Sequence, residues 1–459
     1  MTATALASSP VAPLKEPPLV RGLPIIGNTL EMAKDPAKFF VRCYREYGPA
    51  FRVRVMGRTQ TVLAGAEAAN FLGTREGKDA LRSKEFWDGL VKEYGATRTL
   101  TGTDGEDHKK LRDIMRHGFS REALRGRHAE LVGITNRIFE RDWKPGTDKP
   151  VLEAMQYLVV EQLGLILTGS APLEYVKDIR TTILYILNIL VTRQRPQFLL
   201  HNPKYKKSKA KVFELGQSMI RQYYASKDSK SPEEKNLIDA IMETHENRPD
   251  IMPQSDLILT LTGPYVAGLD TVANTTAATL YGVLKHPEVL RQIHAEVDAF
   301  FSGDSFAEEE VMKKLVVTNA AIMEAMRLWP IAVAQMRVAN HDFGFAGYQV
   351  HKDEMIYIAT SVPHFMQEFF PDPEKFDIGR YSKERSEHTQ SGAYSPFGRG
   401  PHTCLGKTLA EVLMVLTMAR IFWKLDLALE SPDYELATKT TPTPGPATSF
   451  KVKIRGYRH

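Results

Sequence analysis

The side chain with the most reactive potential stands in the segment Ser395 to Lys407, SPFGRGPHTCLGK, at Cys404. The residues that follow, LAEVLMVLTMARIFWKL, carry apolar positions at helical spacing, so Cys404 sits at the start of a helix. Free backbone N–H groups and the helix dipole favour a thiolate there and are expected to lower its pKa. Gly398, Gly400 and Gly406 take side chains away from the sulfur and Pro401 stiffens the loop, leaving room for a large flat group. Three chemistries are open to such a cysteine. It can be an inert buried thiol. It can be a nucleophile with His402 as its base, although no third group nearby would orient the pair. It can be an iron–thiolate ligand, which accounts for the glycines, the helix start and the isolated sulfur together.

Three further groups could carry chemistry. Ala267-Gly268-Leu269-Asp270-Thr271 places an acid and an alcohol inside an apolar stretch, where both are costly unless hydrogen-bonded. Thr271 can bond back to the carbonyl of Ala267 while Asp270 finds a buried partner, or the two can position water and move protons. Glu324 and Arg327 stand at i, i+3 on one helix face, as in many ordinary helix ion pairs. His108 and Arg112 stand at i, i+4, the spacing of an anion clamp or of a plain solvated basic helix.

The elements that must position these residues are mostly helical. Tyr47 to Gly65 alternates apolar and polar residues around Met56-Gly57 and predicts a two-stranded hairpin. From about 66 to 300 helical periodicity dominates, as in Val151 to Leu167 and Ile179 to Val191. Gln254 to Lys285 has no strong stop signal and is apolar nearly all round. As one helix it would run about 48 Å through the core, with a kink expected at Pro264. Gln335 to Ile358 returns to alternation with glycine turns. The expected class is therefore mostly α with a small β subdomain (α+β), the β-rich parts lying at about 45–66 and 335–380. The lysine-rich segment Lys204 to Lys235 predicts a solvated helix face and a surface loop.

Composition narrows the class of partner. The chain has 459 residues, 43% hydrophobic and 25% charged, which fits a folded globular protein and not a disordered or fibrous one. Two cysteines, Cys43 and Cys404, exclude a disulfide framework. A net charge of +5 does not point to nucleic acid. Residues 1–16 are expected to be a flexible leader before one domain over 17–459. The first 22 residues carry neither the apolar run of a signal peptide nor that of a membrane anchor, so a cytoplasmic location is expected.

The run Phe397 to Gly406 resembles the haem-binding loop of the cytochrome P-450 superfamily, Phe-x-x-Gly-x-Arg/His-x-Cys-x-Gly. Further motifs follow in the family's order. Glu324-Ala325-Met326-Arg327 is similar to its Glu-x-x-Arg, and Pro371 to Phe376 with Arg380 is similar to the segment whose arginine completes a structural triad. Ala267 to Thr271 resembles its distal Ala/Gly-Gly-x-Asp/Glu-Thr. Asp107 to Arg112 followed by Phe119-Ser120 resembles the helix that holds the haem propionates, and Arg337 and His402 match the remaining propionate donors.

The resemblance implies the cytochrome P-450 fold, with a long central helix across a haem b and Cys404 as its axial iron ligand. Phe397, His402, Gly398 and Gly406 would frame the cofactor. Thr271 and Asp270 would deliver protons while one atom of dioxygen is inserted into a lipophilic terpenoid, steroid, fatty acid or polyketide. Electrons would come from NAD(P)H through a separate ferredoxin or flavodoxin and its reductase, docking on a basic face of Lys109, Lys110, Arg116, Arg399 and Lys407. A monomer is expected. Within the family the rival is a peroxygenase or rearranging enzyme, and outside catalysis a haem-binding sensor or carrier. Pro330 to Tyr381 resembles sterol demethylases, yet Leu269 and the segment LVKEYGATRTLTG depart from that subfamily's signatures. Substrate-facing positions are expected near 80–100, 185–200, 258–270, 331–336 and 441–450.

Overall fold

The computed structural model describes residues 13–193, 195–441 and 443–459. The elements that position the site are, in chain order, strands β1 (Ala50–Val55) and β2 (Arg58–Ala64), strand β3 (Leu81–Arg82), helices α1 (Lys84–Tyr94), α2 (Gly105–Arg116), α3 (Val151–Leu163), α4 (Val176–Tyr185), α5 (Pro203–Ser226), α6 (Gln254–Lys285) and α7 (Val316–Leu328), strands β4 (Gln335–Ala339) and β5 (Met355–Ala359), and helix α8 (Lys407–Lys424).

The five strands form one sheet in the order β1-β2-β5-β4-β3, so both ends of the chain contribute to it, as the alternating segments predict. In the hairpin Val55 faces Arg58, which leaves Met56 and Gly57 as a two-residue turn. Both have positive φ, 49° and 76°, the conformation of a type I′ turn and the reason a glycine stands there. β2 and β5 run parallel, with Leu63 opposite Ile358.

Helix α6 spans all 32 residues from Gln254 to Lys285 and continues through Pro264. Its burial is nearly complete from Val272 to Val283, because α3, α7 and α8 pack around it in the main core. Small residues such as Ala273, Ala277 and Ala278 permit that close approach on every side. The stretch Val151–Thr168 is long and apolar enough to cross a membrane, but 78% of it is buried inside the fold, as befits a core helix.

Of the expected leader, residues 1–12 lie outside the described residues. Lys15 and Glu16 do not behave as a free tail. The Lys15 N–H donates to Gly347 O at 3.1 Å, and Glu16 pairs with Arg52 and His351. Cys43 is fully buried on the helix Pro36–Tyr47, where burial pushes its thiol up to about 12, which makes it an inert packing residue.

Candidate functional site

The Cys404 loop is held by its own backbone. Cys404 N–H donates to Phe397 O at 2.9 Å, Thr403 N–H to Gly400 O at 3.1 Å and Gly398 N–H to Ser395 O at 3.1 Å. Gly398 and Gly400 have φ of 71° and 75°, and a Cβ on Gly400 would stand 2.3 Å from Leu72 O, so the fold requires glycine there. Gly406 is the N-cap of α8, and its N–H lies near enough to the sulfur to draw the thiol pKa down. A Cβ on Gly406 would meet Phe119 at 3.6 Å and Cys404 Sγ at 3.9 Å, ordinary contacts.

The expectation of a lowered thiol pKa needs correction. Burial is the largest influence and raises it, while the Gly406 N–H, Arg112 and Lys407 pull it down without winning. Desolvation of the charged form outweighs the helix end. Cys404 is surrounded by protein and nevertheless keeps accessible surface, which argues for an internal space, the chamber, beside it.

Arg112 lies beside the sulfur and forms one cluster with His108, His402 and Arg337, with the carboxylate of Asp104 among them. Arg337 is 8% exposed, and its guanidinium donates only to Met336 O, at 2.7 Å. Burial drags its pKa down to about 10. Arg112 feels the charge of Cys404 and is likewise lowered by burial. His108 and His402 lie with ring centroids 4.2 Å apart. Burial, then the charges of His402, Arg112 and Arg337, press His108 down to about 4, and its Nε2 is buried without a partner. All four expected propionate donors are thus brought together. Arg337 makes no ion pair among the described residues and Asp104 is taken by His402, so the cluster fits a ligand bearing carboxylates.

His402 differs from expectation in one respect. Its Nε2 is engaged by Asp104 Oδ1 at 2.8 Å and lies 3.2 Å from Ser83 Oγ, which leaves Nδ1 for any ligand. Asp104 also accepts from Ser83 N–H at 2.7 Å, and these donors hold its pKa down although burial opposes them. Sequence reasoning missed Asp104 and Ser83, which lie some 300 residues from His402 and share no local motif with it.

In the middle of α6 Gly263, Val266, Ala267, Gly268 and Thr271 keep accessible surface, and Gly263, Ala267 and Thr271 among them stand four residues apart on one face. Ala267 is exposed although the helix runs through the core, so this strip also borders the chamber. Thr271 Oγ1 donates to Ala267 O at 2.9 Å, the back-bonding expected of a mid-helix threonine. Asp270 is 5% exposed and points elsewhere, accepting from Gln156 Nε2 of α3 at 2.6 Å. Lys439 lies within its electrostatic reach, and burial lowers that lysine's pKa. Neither Gln156 nor Lys439 carried a signal in the sequence.

Glu324, Arg327 and Arg380 meet with no exposure at all. Glu324 receives two bonds of 2.8 Å from Arg327, one of 3.2 Å from Arg380 Nε, one of 2.8 Å from Tyr381 OH and one of 2.9 Å from Asp377 N–H. Arg327 Nη1 donates to His364 O at 2.7 Å, and His364 Nε2 accepts from Ser395 N–H at 3.0 Å. The triad therefore reaches the first residue of the Cys404 loop through one histidine. On the surface nearby, Lys109, Lys110, Arg116 and Lys407 are exposed, while Arg399 is half-buried with its N–H on Gln335 Oε1.

The family model described as "Cytochrome P450", that is cytochrome P-450, matches residues 17–448. The cyclooctat-9-en-7-ol 5-monooxygenase of Streptomyces melanosporofaciens is 26% identical over 420 residues, 88% of each chain. A sterol 14alpha-demethylase of Mycolicibacterium vanbaalenii is 22% identical over 422 residues, 88% of this chain and 90% of its own. The solved structure of a retinoic-acid-bound cyanobacterial cytochrome, CYP120A1, superposes with a TM-score of 0.82 at 22% identity, covering 97% of this chain and all of that one. With the sulfur-bearing loop, the buried cations and the central helix all arranged as above, and a family model spanning nearly the whole sequence, the chain belongs to the cytochrome P-450 family of haem-thiolate monooxygenases.

Proposed function

We propose that this monooxygenase hydroxylates a lipophilic small molecule of the terpenoid or steroid kind, in a chamber between the Cys404 loop and the Gly263–Ala267–Thr271 face of α6. The observation that carries the assignment of the site is Arg337, a buried guanidinium bonded only to a backbone carbonyl, in one cluster with His108 and with the Arg112 that acts on Cys404. Cys404 would hold the iron of a haem, which when bound would supply the activation of dioxygen and the transfer of one oxygen atom to carbon.

The rest is done by the chain. Cys404 donates its sulfur, steadied by the Gly406 N–H. Arg112, Arg337 and His108 would bind the carboxylates of the cofactor, which would offset the cost of their burial. Thr271 holds a hydroxyl proton on the chamber face. Asp270 reaches that face only on leaving Gln156, so the Gln156 bond governs its access to protons. The apolar neighbours of the chamber, Leu259 and Met336 among them, select a hydrocarbon skeleton and keep bulk water away. Relatives named for cyclooctat-9-en-7-ol and for sterol demethylation support that substrate class. Electrons arrive from NAD(P)H through a separate ferredoxin or flavodoxin and its reductase, docked on the exposed Lys109, Lys110, Arg116 and Lys407 in the cytoplasm.

The experiment is the difference spectrum of the reduced protein with carbon monoxide. The thiolate-ligated band is expected, and Cys404→Ser removes it. A band at the histidine-ligated position in the wild type would overturn the assignment of Cys404.

A further inference from the structure

Among the large apolar side chains left in solvent, four belong to one place. Leu23 is 53% exposed, Ile25 84%, Leu30 61% and Met56 58%. Hydrogen bonds make them neighbours. Gly27 N–H donates to Leu23 O at 2.9 Å and closes a tight loop, Asn28 N–H donates to Arg54 O at 2.7 Å, and Met56 N–H donates to Thr29 Oγ1 at 2.9 Å. The loop from Leu23 to Gly27 and the helix Thr29–Lys34 after it are thereby pinned to the turn between β1 and β2. Leu19, also exposed, bridges to Arg52 of β1. Single exposed apolar residues are ordinary, whereas a contiguous group rimmed by polar residues marks an interaction surface.

Ile25 has a φ of 67°, the left-handed region that is most costly for a β-branched residue. Its side chain packs against little, so the fold gains nothing from an isoleucine there, and the apolar surface is free for something outside the chain. The free charges beside the patch are of one sign. Arg21, Arg54 and Arg58 are exposed, and none of their side chains takes part in a hydrogen bond or ion pair among the described residues. The carboxylates of Glu16 and Glu31 in the same segment are already taken up, by Arg52 at 3.0 Å and by Arg42 at 2.8 Å. A second copy of the chain on this face would set the three arginines against the same three arginines, because a two-fold contact uses one patch on both subunits. The occupant that suits apolar tips beside free cations is an anionic one with an apolar interior.

We propose that this face docks on an anionic lipid bilayer, with Leu23, Ile25, Leu30 and Met56 entering the boundary between head groups and acyl chains and Arg21, Arg54 and Arg58 meeting the phosphates. Buried apolar area and attraction to anionic lipids are the two contributions that hold a protein at such an interface. The attachment is peripheral and reversible and needs no spanning segment. It takes no part in the chemistry at Cys404. A lipophilic substrate partitions into the same bilayer, so docking sets the enzyme where that substrate is concentrated.

The test is flotation of the haem-loaded full chain with two kinds of vesicle, phosphatidylcholine alone and phosphatidylcholine containing about one third phosphatidylglycerol. The wild type is expected to float with the anionic vesicles and to lose that binding as salt is raised. Arg54→Gln and Arg58→Gln should each weaken it about fivefold, the effect of one cation at such a surface. Ile25→Asn combined with Met56→Asn should weaken it about tenfold or more. Asparagine tolerates positive φ, so the melting temperature and the thiolate band of that variant should match the wild type. Should it fold poorly, the two arginine variants decide. A wild type that does not float with anionic vesicles would overturn the proposal, as would flotation that survives in all these variants or is lost only on deletion of residues 1–12. A dimer in solution that Ile25→Asn with Met56→Asn dissolves would also overturn it, since the face would then join two copies.

Discussion

Asp270 and Thr271 are neighbours in the chain and face different surroundings: the carboxylate takes a 2.6 Å bond from Gln156 in the core, and the hydroxyl donates to Ala267 O at 2.9 Å on the chamber side of α6. Consecutive helix residues differ by about 100° in direction, so an acid and an alcohol in sequence cannot both line one face. Their cooperation requires a motion of Asp270.

Two variants separate these roles. Thr271→Ala should leave haem content and folding unchanged while product formed per NAD(P)H consumed falls several-fold, and unchanged coupling would count against proton delivery by Thr271. Gln156→Leu strips the buried Asp270 of its donor and should cost about 1–3 kcal/mol in denaturant unfolding. It should also alter the solvent isotope effect on turnover, which a purely structural glutamine would leave alone.

The buried triad should be intolerant of a lost charge. Glu324→Gln leaves Arg327 with no carboxylate and Arg380 with Glu387 alone. Removing one partner of a buried pair typically costs about 3–5 kcal/mol. The expected result is a fall in unfolding free energy of that size together with a lower haem-to-protein ratio. A variant that unfolds like the wild type would show that the backbone bonds of the two arginines suffice.

Gly400→Ala tests the loop by geometry. A methyl group there meets a backbone oxygen, Leu72 O, at 2.3 Å, and the residue must keep a φ of 75°. The loop must shift, and Cys404 with it. Cofactor retention should fall sharply while far-ultraviolet circular dichroism stays unchanged, and full occupancy with an unshifted thiolate band would refute the claim.

Much of this arrangement was legible because its signals are local. The alternation around Met56-Gly57, the uninterrupted apolar run of α6 and the glycine spacing before Cys404 are each set within a few turns of chain. Glu324 and Arg327 were legible for the same reason. Asp104 beside His402, Gln156 beside Asp270 and His364 beside Ser395 were not, because each contact joins distant segments and depends on packing that no periodicity records. The pKa of Cys404 went the other way for a related reason: the helix start is visible in sequence, whereas the burial that outweighs it is a property of the whole fold.

His364 gives a pH signature. It is 1% exposed, and burial, reinforced by the Arg327 charge, presses its pKa down to about 3 from 6.5. The unfolded chain then binds more protons than the folded one between those values, so stability rises with pH across the window and is lost as pH falls below 6.5. From pH 6.5 to 5 this one residue accounts for up to about 2 kcal/mol. Glutamine can still accept from Ser395 N–H through its amide oxygen but does not titrate. Urea unfolding at pH 7 and pH 5 should therefore show a larger loss in the wild type than in His364→Gln, by roughly that amount. Equal losses in the two proteins would mean that His364 is protonated in the fold and that the link from Arg327 to the Cys404 loop is made in some other way.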